Sequence, residues 1–234
     1  MFWCLRQQRQ KFMKNKNKKI LKWFSLNVVI SICLLIAGVL IFAFIADEAV
    51  LEHENGIDNT IFSFCDSIST ARTIRVMKVF TFFGSSTFLL PAYVCLVIYF
   101  FIKKKNVYAI EIAIIGISSQ CLLYALKQIF HRQRPGASLI ERLTTYSFPS
   151  GHTFSSFVFY SIIIYIVQHS KVKAKYRWIV SILLFLFAFT ISISRIVLKV
   201  HYATDVLASL CLALAWLVLL LLLLKKINSR LIKT

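Results

Sequence analysis

Three short polar stretches in an otherwise apolar chain have the residue types and spacing needed to handle an oxyanion. The first runs from Lys127 through six residues to Arg134 and Pro135, and the second is Pro149-Ser150-Gly151-His152-Thr153. The third is Ser194-Arg195, then His201, then Asp205. Lys127 supplies a point charge, and Arg134 a planar fork that can grip two phosphate oxygens at once. Pro135 bars a helix from continuing, so Arg134 belongs on a turn. In the second stretch Ser150 suits a helix cap, and Gly151 lets a ligand approach the backbone. The free N–H groups of a helix start then favour an anion, with His152 beside it in the first turn. Taken singly, these pieces have ordinary explanations: Lys and Arg at a helix end snorkel to headgroups, and a capping Ser can precede an incidental His.

The third stretch has the most telling internal geometry. His201 and Asp205 are four apart, so on the first turn of a helix they share a face and their side chains meet. Asp205 can then accept one imidazole N–H, which leaves the other ring nitrogen as nucleophile or base. Arg195 lies in an apolar run, where an unpaired cation is expensive, so it requires a partner or a ligand. An Arg195–Asp205 ion pair is the structural alternative. Together the stretches hold two His, one Asp and three cations. Two-metal chemistry needs more carboxylates or His than this. His53 sits in an acidic link, and His131 and His169 in basic ones, so no metal ligand set is expected. The six cysteines show no C-x-x-C spacing and read as small core residues.

These residues need a scaffold that brings them together. Of 234 residues, 59% are hydrophobic and 21 are Phe, with mean hydropathy +0.74, well beyond soluble composition. A bilayer core takes roughly 20 helical residues. Runs 26–46, 79–102, 107–126, 178–198 and 203–224 reach that length, and a shorter run, 153–168, adds a sixth span. The fold class expected is all-α, a six-transmembrane helical bundle with an amphipathic interfacial helix in 56–78 ahead of the second span, built on Ile57, Ile61, Phe64, Ile68 and Ile74. The first span reads as an uncleaved anchor.

Domain organisation is then a basic N-terminus (1–25), one six-span domain (26–224) and a basic tail (225–234). Lys and Arg settle the orientation: eight precede the first span, three lie in 103–105, four in 171–177 and four in the tail, against nine on the opposite side. The termini are expected in the cytoplasm, and links 47–78, 127–152 and 195–205 outside. The net charge of +19 is thus a topology signal that also meets anionic lipid. Nucleic acid is not an expected partner.

K-x6-R-P, P-S-G-H and S-R-x5-H-x3-D, in this order and without departures, resemble the three-part signature of the type-2 phosphatidic acid phosphatase superfamily. The resemblance implies that His201 is a nucleophile forming a phosphohistidine, that Asp205 orients it, and that His152 is the general acid. It likewise implies that Lys127, Arg134, Ser150, the Gly151 backbone and Arg195 bind phosphate, with no metal or other cofactor. The expected partner is a lipid phosphate in the bilayer, with undecaprenyl pyrophosphate first and phosphatidylglycerophosphate or phosphatidic acid as alternatives. A vanadate-type haloperoxidase, a transporter or channel, and a non-catalytic lipid-binding or scaffold protein are the rival readings.

Overall fold

The computed structural model describes residues 26–51, 56–136, 138–140 and 145–231, without the side chains of Leu51 and of residues 224–231. The basic segment 1–25, Cys4 and His53 lie outside the described residues. Among the described residues the regular elements are helices, and six passages are long and apolar enough to cross a membrane. Helix α1 spans Leu26–Val50, its last turn widening into a π-helix over Asp47–Leu51. Helices α2 (Gly56–Ile68), α3 (Ala71–Phe82), α4 (Ser86–Ile102) and α5 (Asn106–Phe130) follow. After the polar link come α6 (Gly151–Gln168), α7 (Ala174–Val197) and α8 (Ala203–Leu231). The run at 153–168 is thus a full crossing that begins at Gly151, and α8 continues the sixth span into the tail.

The expected interfacial segment is divided in two. Ser67 and Ser69 donate their hydroxyls to the Phe64 and Cys65 carbonyls at the end of α2. Thr70 then starts α3 by accepting from the Thr73 N–H at 3.1 Å. The second crossing therefore runs from Ala71 to Ile102, earlier than position 79, and only α2 is separate. It is interrupted at Phe83–Ser85, where Ser85 caps α4 by accepting from Phe88 N–H at 3.3 Å. Gly84 occupies this break because nothing larger fits: a Cβ there would lie 2.5 Å from Ile191 Cγ2, 2.7 Å from Ser156 Oγ and 3.4 Å from His152 Cδ2.

Helix α6 lies at the centre, against α4, α5, α7 and α8, with Thr153, Phe154, Ser155, Ser156, Val158 and Phe159 buried. Most other crossings expose apolar side chains outward, as lipid contact requires. The cysteines show the consequence. Cys65 is buried and Cys211 half-buried, but Cys33, Cys95 and Cys121 are exposed on outer helix faces. The core assignment is corrected for these three, because in a bilayer the lipid-facing surface is as apolar as the interior and hydropathy does not separate them.

One end of the bundle gathers the termini of α5, α6, α7 and α8. Helix α5 stops where His131 takes a left-handed conformation (φ 47°), its N–H donating to the Lys127 carbonyl. After α7, Lys199 does the same (φ 52°), and Val200 and His201 turn back to donate their N–H groups to the Arg195 carbonyl. The link into α6 is anchored by fully buried Phe148, whose ring packs on Phe130 of α5 and Phe42 of α1 at 4.9 and 5.5 Å between centroids.

Candidate active site

His201 precedes α8 instead of lying on its first turn, yet it meets Asp205 as the spacing requires. Its Nδ1 is 3.3 Å from Asp205 Oδ2, and both side chains are all but completely buried. Asp205, in the first turn of α8, reaches back to accept the Tyr202 N–H at 2.9 Å. This local cap folds the link so that the imidazole comes down onto the carboxylate. On the other ring nitrogen, Arg134 Nη1 stands 3.1 Å from Nε2. A guanidinium can only donate, so Nε2 carries the lone pair and Nδ1 the proton that Asp205 accepts. Burial lowers the His201 pKa to about 3, against the opposing pull of Asp205. The imidazole is therefore neutral at physiological pH, as a nucleophile must be.

The first and second stretches close on the third. Arg134 Nη1 also donates to the Val200 carbonyl, and its Nε and Nη2 donate to the Thr145 carbonyl and hydroxyl. Burial lowers its pKa from the ordinary guanidinium value, with Asp205 opposing. Lys127 Nζ, in the last turn of α5, donates to the Tyr146 carbonyl at 2.5 Å. Ser150 N–H donates to the Asp205 main-chain carbonyl at 3.4 Å, tying the start of α6 to α8. Ser150 occupies the cap position of α6 but makes no capping bond to the backbone. Its hydroxyl instead pairs with that of Thr153 at 3.0 Å, so the first N–H groups of α6 are left for a ligand. A Cβ on Gly151 would meet Leu123 Cδ2 at 3.3 Å and Lys127 Cε at 3.9 Å.

Arg195 is the outlier. It is 1% exposed, and one nitrogen, Nη1, donates to Thr81 Oγ1 of α3 at 2.5 Å. Its Nε and Nη2 are buried without a hydrogen-bond partner among the described residues. The Arg195–Asp205 ion pair does not form. A buried guanidinium with free N–H groups is chemically suited to hold an anion.

Asp205 is occupied by residues the sequence reading did not select. Arg132 Nη1 donates to its Oδ1 at 2.7 Å, and the Ser147 hydroxyl bonds Oδ2. The same Ser147 hydroxyl is 3.3 Å from His201 Nδ1. Arg132 Nη2 also pairs with Asp58 of α2 at 3.0 Å. Nothing in the spacing connects Asp58 with Arg132, which are brought together only by the packing of α2. Arg132 itself stands two residues before Arg134, and its position in the sequence signals only topology.

The PAP2 superfamily model matches residues 107–229, which contain all three stretches. Phosphatidylglycerophosphatase B of Bacillus subtilis is 32% identical over 141 residues, 60% of this chain and 70% of that protein. Among solved structures, the transmembrane PAP2-type phosphatidylglycerolphosphate phosphatase from Bacillus subtilis superposes with TM-score 0.72 at 28% identity. That match covers 84% of this chain and 96% of the other. LpxE of Aquifex aeolicus superposes with TM-score 0.53 at 25% identity, covering 68% and 92%. With the three stretches joined at one end of a six-span bundle and the family model spanning more than half its length, this chain belongs to the PAP2 superfamily.

Proposed function

We propose that the chain is a metal-independent lipid phosphatase working through a phosphohistidine at His201. The observation that carries this reading is Arg195, whose buried Nε and Nη2 have no hydrogen-bond partner among the described residues. A phosphoryl group supplies the missing acceptors, and only in such a complex is burying this cation sound. His201 Nε2 attacks phosphorus, forming an N–P bond as the bond to the leaving oxygen breaks. His152 gives that oxygen a proton, and Asp205 stabilises the imidazolium. Water then attacks the phosphohistidine while His152 takes its proton, releasing inorganic phosphate and free His201. Arg195, Lys127, Arg134 and the N–H groups of Gly151 and its neighbours hold the non-bridging oxygens, with Ser150 fixing the start of α6. Because every guanidinium nitrogen of Arg134 already has an acceptor in the protein, it exchanges carbonyls for phosphate oxygens on binding. Its contact with Nε2 must break before the attack.

The Lys/Arg distribution supports a site on the outer face, with cytoplasmic termini. The substrate is then a lipid phosphate whose tails stay in the bilayer. The names of the relatives favour phosphatidylglycerophosphate, while an outward site equally suits undecaprenyl pyrophosphate, whose release on that face calls for recycling. Phosphate release from a panel of these lipids and phosphatidic acid, in detergent with EDTA, tests the proposal and ranks the substrates. His201→Ala and His152→Ala should each lose activity by several orders of magnitude, and EDTA should have no effect. Activity surviving in His201→Ala, or lost with EDTA, contradicts it.

A further inference from the structure

The chemistry above does not use the charged cluster behind Asp205. Asp58 and Asp205 are completely buried and Arg132 is 7% exposed. The guanidinium binds both carboxylates, Asp58 at 3.0 Å and Asp205 at 2.7 Å. Thr204 completes the ring: its N–H and hydroxyl donate to Asp58 at 2.9 and 2.7 Å, and the hydroxyl accepts from Arg132 Nη1 at 2.8 Å. The Arg132 guanidinium also lies over the Tyr202 ring, 4.1 Å from its centroid. The contact continues along α2, because Asp58, Phe62 and Asp66 are spaced four apart on one helix face. Phe62 packs on Tyr202 at 5.7 Å and Asp66 pairs with Lys199 at 2.5 Å. One face of α2 is therefore laid along residues 199–204, the segment that carries His201.

Three buried charges are a poor way to hold helices together, since apolar residues of similar volume usually do so as well or better. What they do supply is direction. Arg132 holds Oδ1 of Asp205, leaving Oδ2 to Tyr202 N–H, Ser147 and His201 Nδ1. We infer that Arg132 and Asp58 are positioning residues for the nucleophile, clamping α2 onto the α8 start so that the Asp205 carboxylate keeps Oδ2 toward His201. The inference rests on the roles proposed for His201 and Asp205. Without Arg132, two buried carboxylates face each other with no cation between them and Asp205 turns from its partner. Without Asp58, Arg132 loses the anchor that fixes its fork.

The test is a kinetic series on the full chain in detergent micelles with a short-chain phosphatidic acid, normalised to folded enzyme by thermal transition. Arg132→Gln should lower kcat about 100-fold and Asp58→Asn about 10-fold, with KM changed less than about 3-fold, the range seen when supporting contacts of a reactive group are removed. The double variant Asp58→Asn/Arg132→Gln should be no slower than Arg132→Gln alone, because both act through one carboxylate. Thr204→Val removes one hydroxyl without altering charge, keeps the series informative if a charge variant does not fold, and should lower kcat several-fold. Arg132→Lys, which cannot span both carboxylates, should recover only part of the rate. Unchanged kcat per folded molecule in Thr204→Val and the charge variants, a loss carried by KM, or multiplicative losses in the double variant would overturn the inference. His201→Ala separates the two claims. If it is inactive while the series keeps its kcat, only the positioning role fails; if it is active, the nucleophile and its positioning residues fall together.

Discussion

Arg195 and His201 meet the same low-dielectric interior in opposite ways. His201 stays neutral, whereas Arg195 is buried as a cation with Thr81 as its one side-chain partner among the described residues. Replacing it with Met should therefore leave the unliganded protein as stable as before, or more so by about 1–4 kcal/mol, while lowering kcat/KM about 100- to 1,000-fold. Phosphate or vanadate should raise the thermal transition of the wild type but not of Arg195→Met. Those opposite signs distinguish a ligand-binding cation from a structural one. His201 gives a pH signature with a definite sign. Its imidazole titrates near 6.5 when exposed and near 3 when folded, so between these values the unfolded chain binds the extra proton. This contribution to stability is complete above about pH 6.5 and is lost as pH falls toward 3. Thermal transitions from pH 8 to 4 should show a smaller acid loss in His201→Asn than in the wild type. The sequence showed these residues because charges and imidazoles stand out in apolar surroundings and i,i+4 spacing links His201 to Asp205. It hid Arg132, Ser147 and Asp58, whose roles depend on contacts between residues far apart in the chain.

The helices place these groups through two features that local sequence shows only in part. One is the interruption of the second crossing at Gly84, where the backbone comes directly against Ile191, Ser156 and His152. Gly84→Ala puts a methyl within 2.5 Å of Ile191 Cγ2 and should cost about 1–3 kcal/mol of stability by overpacking. Activity should fall as well, because α3 carries Thr81 and α6 carries His152. Thermal transition and kcat measured on the same preparation check both effects. The other is α2, whose amphipathic pattern was legible but whose orientation was not. Ile57, Phe64 and Ile68 face outward, while the buried stripe carries Asp58 and Cys65. Apolar spacing identifies a face, and in a bilayer the apolar face is as easily the lipid side as the core side. Crossing helices were legible from hydropathy alone. Their ends moved where caps and turns decide them, as at Thr70 and Gly151.

For the whole molecule, the bundle collects the termini of four crossings at one end, and the proposal that this end faces outward rests on the Lys/Arg distribution. The orientation is checked by thiol labelling with a membrane-impermeant reagent. A cysteine placed at exposed Leu139 should react in intact cells, and one at exposed Lys171 only after permeabilisation; the reverse pattern would put the site in the cytoplasm. Fold class, and which polar residues come together at that end, were readable because a membrane chain has few polar groups and each needs a reason. The lipid was not, since the residues proposed to hold phosphate do not read the rest of a headgroup. The central claim is that phosphate passes through His201, and it is tested most directly by acid-free denaturing quench of the enzyme turning over a phosphate-labelled lipid substrate. The account predicts label on the protein that survives alkali, is lost in acid, maps to His201 and is absent from His201→Ala; with an aryl phosphate, whose leaving oxygen needs no proton, it accumulates in His152→Ala, which then lacks only the base for hydrolysis. Turnover without protein label in both the wild type and His152→Ala, or label that remains in His201→Ala, would contradict it.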